Sequence, residues 1–375
     1  MCVLKKLLKY LSPFAPDQSG VVSVLFGMGG MTVICDAGGC TGNICGFDEP
    51  RWATQKSAIF SAGLRDMDAI LGSDDKLVAK IVKASHQIDA DMIGIVGTVV
   101  PAVIATDLRA LKTMTSKKVD IPVVSIEATG TKYYDDGEEE TYMELFRTFL
   151  KADGDMESEK TKNEIGILGA TCLDTSLLDF CTPLKKSLGK EYDKVYCYGL
   201  ESDDGLSGID VIKRAKNVSM NLVISPAGLK SAKYLKRKYN IPYKTGYPLL
   251  EKGIYDEIDD FLKSYDEGKI LIIHQQVLAN EIRNYIKNKL LEENKDFLAN
   301  NIVVGTFFQL HKELKEEGDI FFKGEDEFRE YVDKEDISLI IADGLLLRPL
   351  RGYKKAFIEC THFAISGKLV NDSNS

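Results

Sequence analysis

The stretch Cys35-Asp36-Ala37-Gly38-Gly39-Cys40-Thr41-Gly42-Asn43-Ile44-Cys45-Gly46 holds three cysteines, each five residues from the next, among four glycines. Iron–sulfur clusters need thiolates that converge from a backbone able to turn sharply. Glycines supply both the turns and the N–H groups that approach the sulfides. Cys35, Cys40 and Cys45 are therefore the candidate metal and cofactor ligands. The spacing matches no established zinc or ferredoxin pattern, so the same composition also fits three small buried hydrophobes under a tight turn. Directly after the loop, Asp48-Glu49-Pro50-Arg51-Trp52 carries the only tryptophan. It reads either as part of a docking face for an electron donor or a dimer partner, or as a solvated turn with one anchored aromatic.

Further candidates stand where apolar runs end. Short β-branched runs, each followed by a Gly, Ser or Thr turn and then a helical pattern, recur along the chain, which is the mark of parallel βα units and an α/β class. In open parallel sheets ligands collect beyond the carboxyl ends of the strands, which places Thr98, Cys172, Ser225, His274 and Asp343 toward clefts. Of these, Cys172 is a possible cavity ligand or nucleophile, Ser225 a possible cleft residue, and His274 a possible ligand or proton donor. Each also has a plain reading: Cys172 as packing, Ser225 with Pro226 as a helix cap, His274 and His362 as histidines satisfied by local hydrogen bonds. Cys181, Cys197 and Cys360 read as core or scattered positions, and Asp107 and Glu127 stay unassigned.

The elements that must position these residues fall into three groups. In the first, strands are expected at Val21–Leu25, Met92–Val96 and Pro122–Ile126, with a helix from Lys76 to about Ile88. Tyr133 to Lys162, with its acidic run Asp135 to Glu140, reads as a connecting segment in which Tyr142–Leu150 could be helical. The second group has strands Ile165–Leu168, Lys194–Tyr198 and Asn221–Ile224, with helices near Thr175–Leu188, Asp210–Lys216 and Lys230–Tyr239. The third has strands Lys269–Ile273, Asn301–Val304 and Ser338–Ile341 and a strong helix at Val277–Glu292. This predicts three Rossmann-like parallel-sheet domains around a central cleft: 1–158 with the cysteine loop, 159–262, and 263–375.

Composition narrows the function classes. The 375 residues include 44% hydrophobic and 28% charged, an ordinary globular balance. Net charge is −9 without a dense Lys/Arg cluster, which argues against nucleic acid as a partner. The uncharged run Met92 to Thr106 falls short of the ~20 apolar residues a bilayer needs. At the start of the chain Leu4, Leu7, Leu8 and Leu11 share a helical face, but Lys5, Lys6 and Lys9 break any signal-peptide core, so a cytoplasmic protein is expected. Eight cysteines are too few here for a disulfide framework.

Asp17-Gln18-Ser19-Gly20, Val33 through Gly38-Gly39-Cys40, and Phe60-Ser61-Ala62-Gly63-Leu64 with Asp68, Gly72 and Lys76-Leu77 stand in an order that resembles a known family. Pro101 to Asp107-Leu108, Pro122-Val123-Val124 and Thr129-Gly130 continue the pattern. So do Asn221-Leu222-Val223, Ser225-Pro226-Ala227-Gly228, Tyr234-Leu235, Ile241-Pro242-Tyr243 and Gly246-Tyr247-Pro248. Over nearly its whole length the chain resembles the nitrogenase component 1 superfamily of nitrogenase subunits, cofactor-assembly scaffolds and tetrapyrrole reductases. The resemblance implies a subunit of a homodimer, or of a heterodimer with a paralogous subunit. Such a subunit takes electrons from an ATP-dependent, nitrogenase reductase-like iron protein and passes them through an interfacial iron–sulfur cluster, expected as four-iron four-sulfur, to a substrate. This sequence contains no G-x-x-x-x-G-K-[ST] loop, so no ATP site of that kind is expected in it.

The departures matter equally. Of the three cluster cysteines the resemblance implies, only Cys40 matches; the earlier position falls near Ala15 and the later near Val99. Cys35 and Cys45 are extra and could replace them in a cluster shared across a twofold axis. The position of the active-site cofactor's cysteine is Ser225, and no histidine matches that cofactor's second ligand, which argues against dinitrogen reduction on it. An assembly scaffold and a cluster-free binding module of the same fold remain the alternatives.

Overall fold

The computed structural model describes residues 8–55, 57–72, 74–150, 163–200 and 205–370. Three all-parallel sheets follow one another along the chain. The first contains β1 (Met31–Ile34), β2 (Ala58–Ser61), β3 (Ile93–Val96) and β4 (Val123–Ile126) in the order β2-β1-β3-β4. The second contains β5 (Glu164–Leu168), β6 (Lys194–Cys197), β7 (Met220–Val223) and β8 (Tyr243–Thr245) in the order β6-β5-β7-β8. The third contains β9 (Lys269–Ile273), β10 (Ile302–Thr306), β11 (Ile320–Phe321), β12 (Ile337–Ala342) and β13 (Ala356–Glu359) in the order β11-β10-β9-β12-β13.

Each order reverses once, between β1 and β3, between β5 and β7, and between β9 and β12, and a crevice opens beyond the strand ends at such a reversal. The loops leaving these six strands carry Cys35 and Thr98, Cys172 and Ser225, and His274 and Asp343. The central strands are buried on both faces because helices cover both sides, as parallel sheets require. Side chains alternate between the faces: Met31, Val33, Ile93 and Ile95 pack with Leu77 and Leu111, while Ile34, Val96, Val124 and Ile126 pack with Val21, Tyr142 and Phe146.

Several sequence expectations are corrected. Val21–Leu25 is no strand but the middle of a helix, Asp17–Phe26, every residue of which is buried. A helix enclosed on all sides has no polar face, so its valine-rich run lacks the 3.6-residue alternation. It crosses the Tyr134–Phe149 helix at two glycines: a Cβ on Gly20 would stand 1.9 Å from the Tyr134 carbonyl oxygen, and one on Gly137 1.9 Å from that of Asp17. The acidic run Asp135 to Glu140 is thus no loop but the opening of that second helix, with Asp135 and Glu138 buried.

The helix expected over Thr175–Leu188 is two, Cys172–Thr175 and Cys181–Leu188, separated where Ser176 turns to φ +60°. Cys181 and Cys197 form a disulfide tying the second of these helices to the end of β6. Strands β1, β2, β8, β11 and β13 had no counterpart in the sequence reading. The Lys252–Leu262 helix packs on β13 and on the Gln276–Glu292 helix of the third sheet. The boundary expected near 155–162 and the leucines and lysines before residue 8 lie outside the described residues.

Candidate functional site

Beyond β1 the chain is pinned before it reaches the cysteine loop. Thr98 Oγ1 donates to the Cys35 carbonyl oxygen at 2.7 Å, and the buried Asp36 carboxylate accepts from Ser61 Oγ at 2.6 Å and from the Thr41 amide at 2.8 Å. Gly38 takes φ +115°, a conformation that other residues adopt only with strain, and starts the short helix Gly39–Asn43. That helix widens into a π-turn over Ile44–Asp48, which Asp48 closes by accepting from Ser19 Oγ at 2.7 Å and Asn43 Nδ2 at 2.8 Å.

Cys40 and Cys45 are half-buried and touch the same hydrophobic core, the one containing Val21 and Tyr142. Cys35 points the other way. It continues the Met31, Val33 alternation and packs with Leu64 and Leu77 on the opposite face of the sheet. Burial and nearby Asp36 and Asp74 push the Cys35 thiol up to about 12, and burial raises Cys40 and Cys45 as well. Among the described residues no set of three or more His, Cys, Asp and Glu side chains is grouped to hold a metal ion. Cys40 and Cys45 thus lie on one side of the first sheet and Cys35 on the other.

The donors that fit an iron–sulfur cluster here are Cys40 and Cys45, a half set of soft ligands. A Cβ added at Gly39, Gly42 or Gly46 would meet nothing within 4 Å. The chain itself therefore does not require small residues at these positions, and the loop leaves room for a body approaching from outside. Phe47 on the loop and Val99 and Val103 in the short helix beyond β3 are exposed.

The segment after the loop is no solvated turn. Glu49 and Arg51 are buried as a bidentate pair, with Arg51 Nε and one terminal nitrogen donating to the two carboxylate oxygens at 2.7 Å each. The same terminal nitrogen also donates to the Ser23 carbonyl at 2.6 Å, and the guanidinium lies over the Phe26 ring. Trp52 is exposed.

The other candidates converge elsewhere, where the reversals of the second and third sheets face the Tyr134–Phe149 helix. Tyr134 Oη donates to Asp174 Oδ1 at 2.8 Å and lies 3.0 Å from His362 Nε2. Glu138 accepts from Thr171 Oγ1 at 2.6 Å and is hydrogen-bonded to Asp174, which Ser225 also contacts. His274 lies against His362, and Asp343 accepts from the His362 amide at 2.9 Å. All of these side chains are buried, so a packed polar network occupies the meeting point.

Burial dominates its electrostatics. It raises Asp174 to about 6 and Asp135 to about 7, and it holds Glu138 well above the ordinary carboxylate range, helped by the Asp174 charge. Glu138 is accordingly the protonated partner, donating to an Asp174 carboxylate that Tyr134 and Ser225 stabilise. His274 is lowered to about 4, and His362 lies well below its usual value.

Ser225 is the helix cap the sequence suggested, accepting from the Ala227 amide at 3.3 Å. Cys172 is buried packing, its thiol raised to about 12 by burial and placed 3.9 Å from the Leu178 carbonyl. Sequence reasoning missed Tyr134, Glu138 and Asp174. The first two belong to a stripe, Tyr134-Glu138-Thr141-Tyr142-Leu145-Phe146, whose helical spacing was masked by the acidic residues between.

A large cavity of about 1020 Å³ lies beside the loop, lined among others by Phe14, Gln18, Phe47, Lys132, Tyr133 and Phe363. Cys40 and Cys45 do not line it.

The chain is 22% identical over 244 residues to the nitrogenase molybdenum-iron protein alpha chain of Clostridium pasteurianum, covering 62% of this chain and 43% of that one. It is 26% identical over 241 residues to the nitrogenase iron-molybdenum cofactor biosynthesis protein NifE of the same organism, covering 62% and 48%. The chain thus spans about half the length of the curated relatives it matches. Solved structures of nitrogenase Cp1 at pH 6.5 and at pH 5 superpose with TM-scores of 0.64 and 0.63 at 12% and 14% identity. These superpositions cover 96% and 98% of this chain and 88% and 86% of those, and they show the shared fold. The sequence profile of the nitrogenase component 1 type oxidoreductases matches residues 17–263, from the first residue of the buried helix past the end of the second sheet. With three successive parallel sheets and that match over most of its length, the chain belongs to the nitrogenase component 1 type oxidoreductase family.

Proposed function

We propose that the chain is a nitrogenase-like oxidoreductase subunit in which the glycine loops of two copies, or of this chain and a paralogue, meet and hold one four-iron four-sulfur cluster. Cys40 and Cys45 of this chain supply half of the thiolates. When bound, the cluster supplies one-electron transfer; the electron source in this reading is an ATP-dependent iron protein, and the substrate is a molecule reduced beside the interface. The observation that carries the reading is the placement of Cys40 and Cys45 on one side of the first sheet, opposite Cys35, on a loop whose glycines face open space. A pair per chain is the donor number that a twofold axis turns into four. Cys35, on the other face, is left to the core.

The protein's own contribution is positional. Asp36 and Asp48 fix the two ends of the loop, Thr98 ties it to β3, and the Glu49–Arg51 pair anchors the segment that follows. Both thiols are raised, so metal binding must displace their protons.

The test is iron and acid-labile sulfide on anaerobically purified protein, with electronic spectra before and after dithionite, for wild type, Cys40→Ala and Cys45→Ala. About two iron atoms per chain, lost in both variants, are expected. Absence of iron from folded wild type, also after reconstitution, overturns the reading. The likeness to a cofactor biosynthesis protein favours a second reading, a scaffold that carries a metal cluster for delivery. Iron that leaves the protein for an acceptor, without any substrate being reduced, distinguishes it.

A further inference from the structure

The helix Cys181–Leu188 is thinly held. Of its eight residues only Cys181 and Leu184 are buried, and a helix that short does not persist in water without tertiary support. It lies against β6, the edge strand of the second sheet, and shares a hydrophobic core with Ile165, Ile167 and Val195. Phe180 before it and Tyr192 after it are its other apolar anchors. The disulfide to Cys197, sixteen residues on, fastens its first residue to the last residue of β6.

The chain on either side is fixed independently. Ser176 Oγ donates to the Thr361 carbonyl at 3.0 Å and accepts from the Phe363 amide at 2.8 Å, and the Asp193 amide donates to the Asn163 carbonyl at 2.9 Å. Residues 177–192 thus form a unit that can leave the sheet while its neighbours stay in place. Cys35, Cys40, Cys45, Cys172 and Cys360 are all free thiols. One disulfide among five free thiols is the pattern of a redox-responsive pair, not of a cross-linked framework.

We propose that Cys181 and Cys197 form a redox switch, which docks the Cys181–Leu188 helix on the second sheet when oxidised and lets it detach when a dithiol reduces the bond. One thiolate of the reductant attacks a sulfur of the pair, and the other cysteine leaves as a thiolate and takes a proton. The reductant's second thiolate then displaces the mixed disulfide, so the protein gains two electrons and two protons and the reductant ends as a disulfide. Because both cysteines are buried, reagents reach them only when the first helical turn opens, so reduction and undocking favour each other. The undocked state uncovers the face of β6 that carries Val195 and Cys197, at the edge of the sheet. The switch needs neither the cluster nor the oxidoreductase reading.

The test is hydrogen–deuterium exchange read by mass spectrometry on the full apo chain, oxidised and after dithiothreitol, with thiols counted by alkylation under native conditions. Reduction is expected to expose two further thiols, at Cys181 and Cys197, and oxidised glutathione to remove them again. Amides of residues 177–192 are expected to exchange at least about tenfold faster in the reduced protein, while β5 and the Cys172–Thr175 helix keep their rates. Cys181→Ser without reductant is expected to match reduced wild type and to ignore dithiothreitol; should it fail to fold, the wild-type comparison decides alone. Free thiols at both positions after oxidation, a bond that dithiothreitol leaves closed in the folded protein, or equal exchange of 177–192 in the two states overturns the proposal. Exchange accelerated along the whole chain overturns it too, since the bond would then be a global staple.

Discussion

The imidazole rings of His274 and His362 stack face to face, with centroids 4.1 Å apart and planes within 15° of parallel. His274 Nδ1 accepts from the Gln275 amide at 2.9 Å, and its Nε2 faces the Thr361 carbonyl at 3.2 Å, which fixes the neutral Nε2–H tautomer. Because Tyr134 donates to Asp174, its oxygen receives the Nε2–H of His362. Two buried stacked cations would repel, so both rings stay neutral.

The expected consequence is an acid-side loss of stability. A histidine whose folded pKa is depressed contributes stability that is fully present above its ordinary 6.5 and is lost as pH falls toward the folded value, about 4 for His274. In a proton–carbon NMR titration, the ring signals of His274 and His362 are expected to stay fixed from pH 8 to 5. A full titration step near pH 6.5 for either ring would refute the arrangement.

The carboxyls of the same network act with the opposite sign. Asp174, Asp135 and Glu138 have folded pKa values above their ordinary ones, so their contribution is fully present below about pH 4 and is lost as pH rises through about 6, about 7 and, for Glu138, higher. Glu138→Gln keeps an N–H donor for Asp174 and an oxygen for Thr171 but has no proton to lose. Its thermal midpoint is expected to fall less than that of wild type between pH 7 and 9; equal slopes would show that Glu138 holds no proton there.

How much of this was legible in the sequence depended on whether function and periodicity coincided. Strands β3, β5, β9 and β12 stood out because both faces of a parallel sheet are buried, giving unbroken apolar runs. By the same logic the buried Asp17–Phe26 helix mimicked a strand, since enclosure erases the polar face that identifies a helix. Glu138 and Asp135 looked like solvated charge because a sequence does not reveal that their protons can be retained by burial. Thr98, Cys172, Ser225, His274 and Asp343 were placed correctly at strand ends, but which ends meet depends on long-range packing. The facing of Cys35 away from Cys40 and Cys45 follows from strand alternation; with β1 unassigned, that parity was not available.

The Glu49–Arg51 pair is buried and bidentate, so removing one partner strands a charge in the core. Glu49→Gln or Arg51→Met is expected to cost about 3–5 kcal/mol in denaturant unfolding, whereas the double change Glu49→Leu, Arg51→Met recovers most of it. Single variants costing under about 1 kcal/mol would mean that water reaches the pair.

The glycines divide into those the chain itself needs and those it does not. Gly20 and Gly137 let two helices cross so closely that a methyl group would stand 1.9 Å from a backbone oxygen, a contact that only helix displacement relieves. Gly42 and Gly46 in the cysteine loop have no such neighbour and no positive φ. Gly137→Ala is therefore expected to lower the melting temperature steeply or to prevent folding, while Gly42→Ala and Gly46→Ala fold with nearly wild-type melting. If the open side of the loop is where a second copy and the cluster approach, the two loop variants lose iron or association despite intact folding. Wild-type iron content and oligomeric state in both would mean that the space around these glycines stays empty in the working protein.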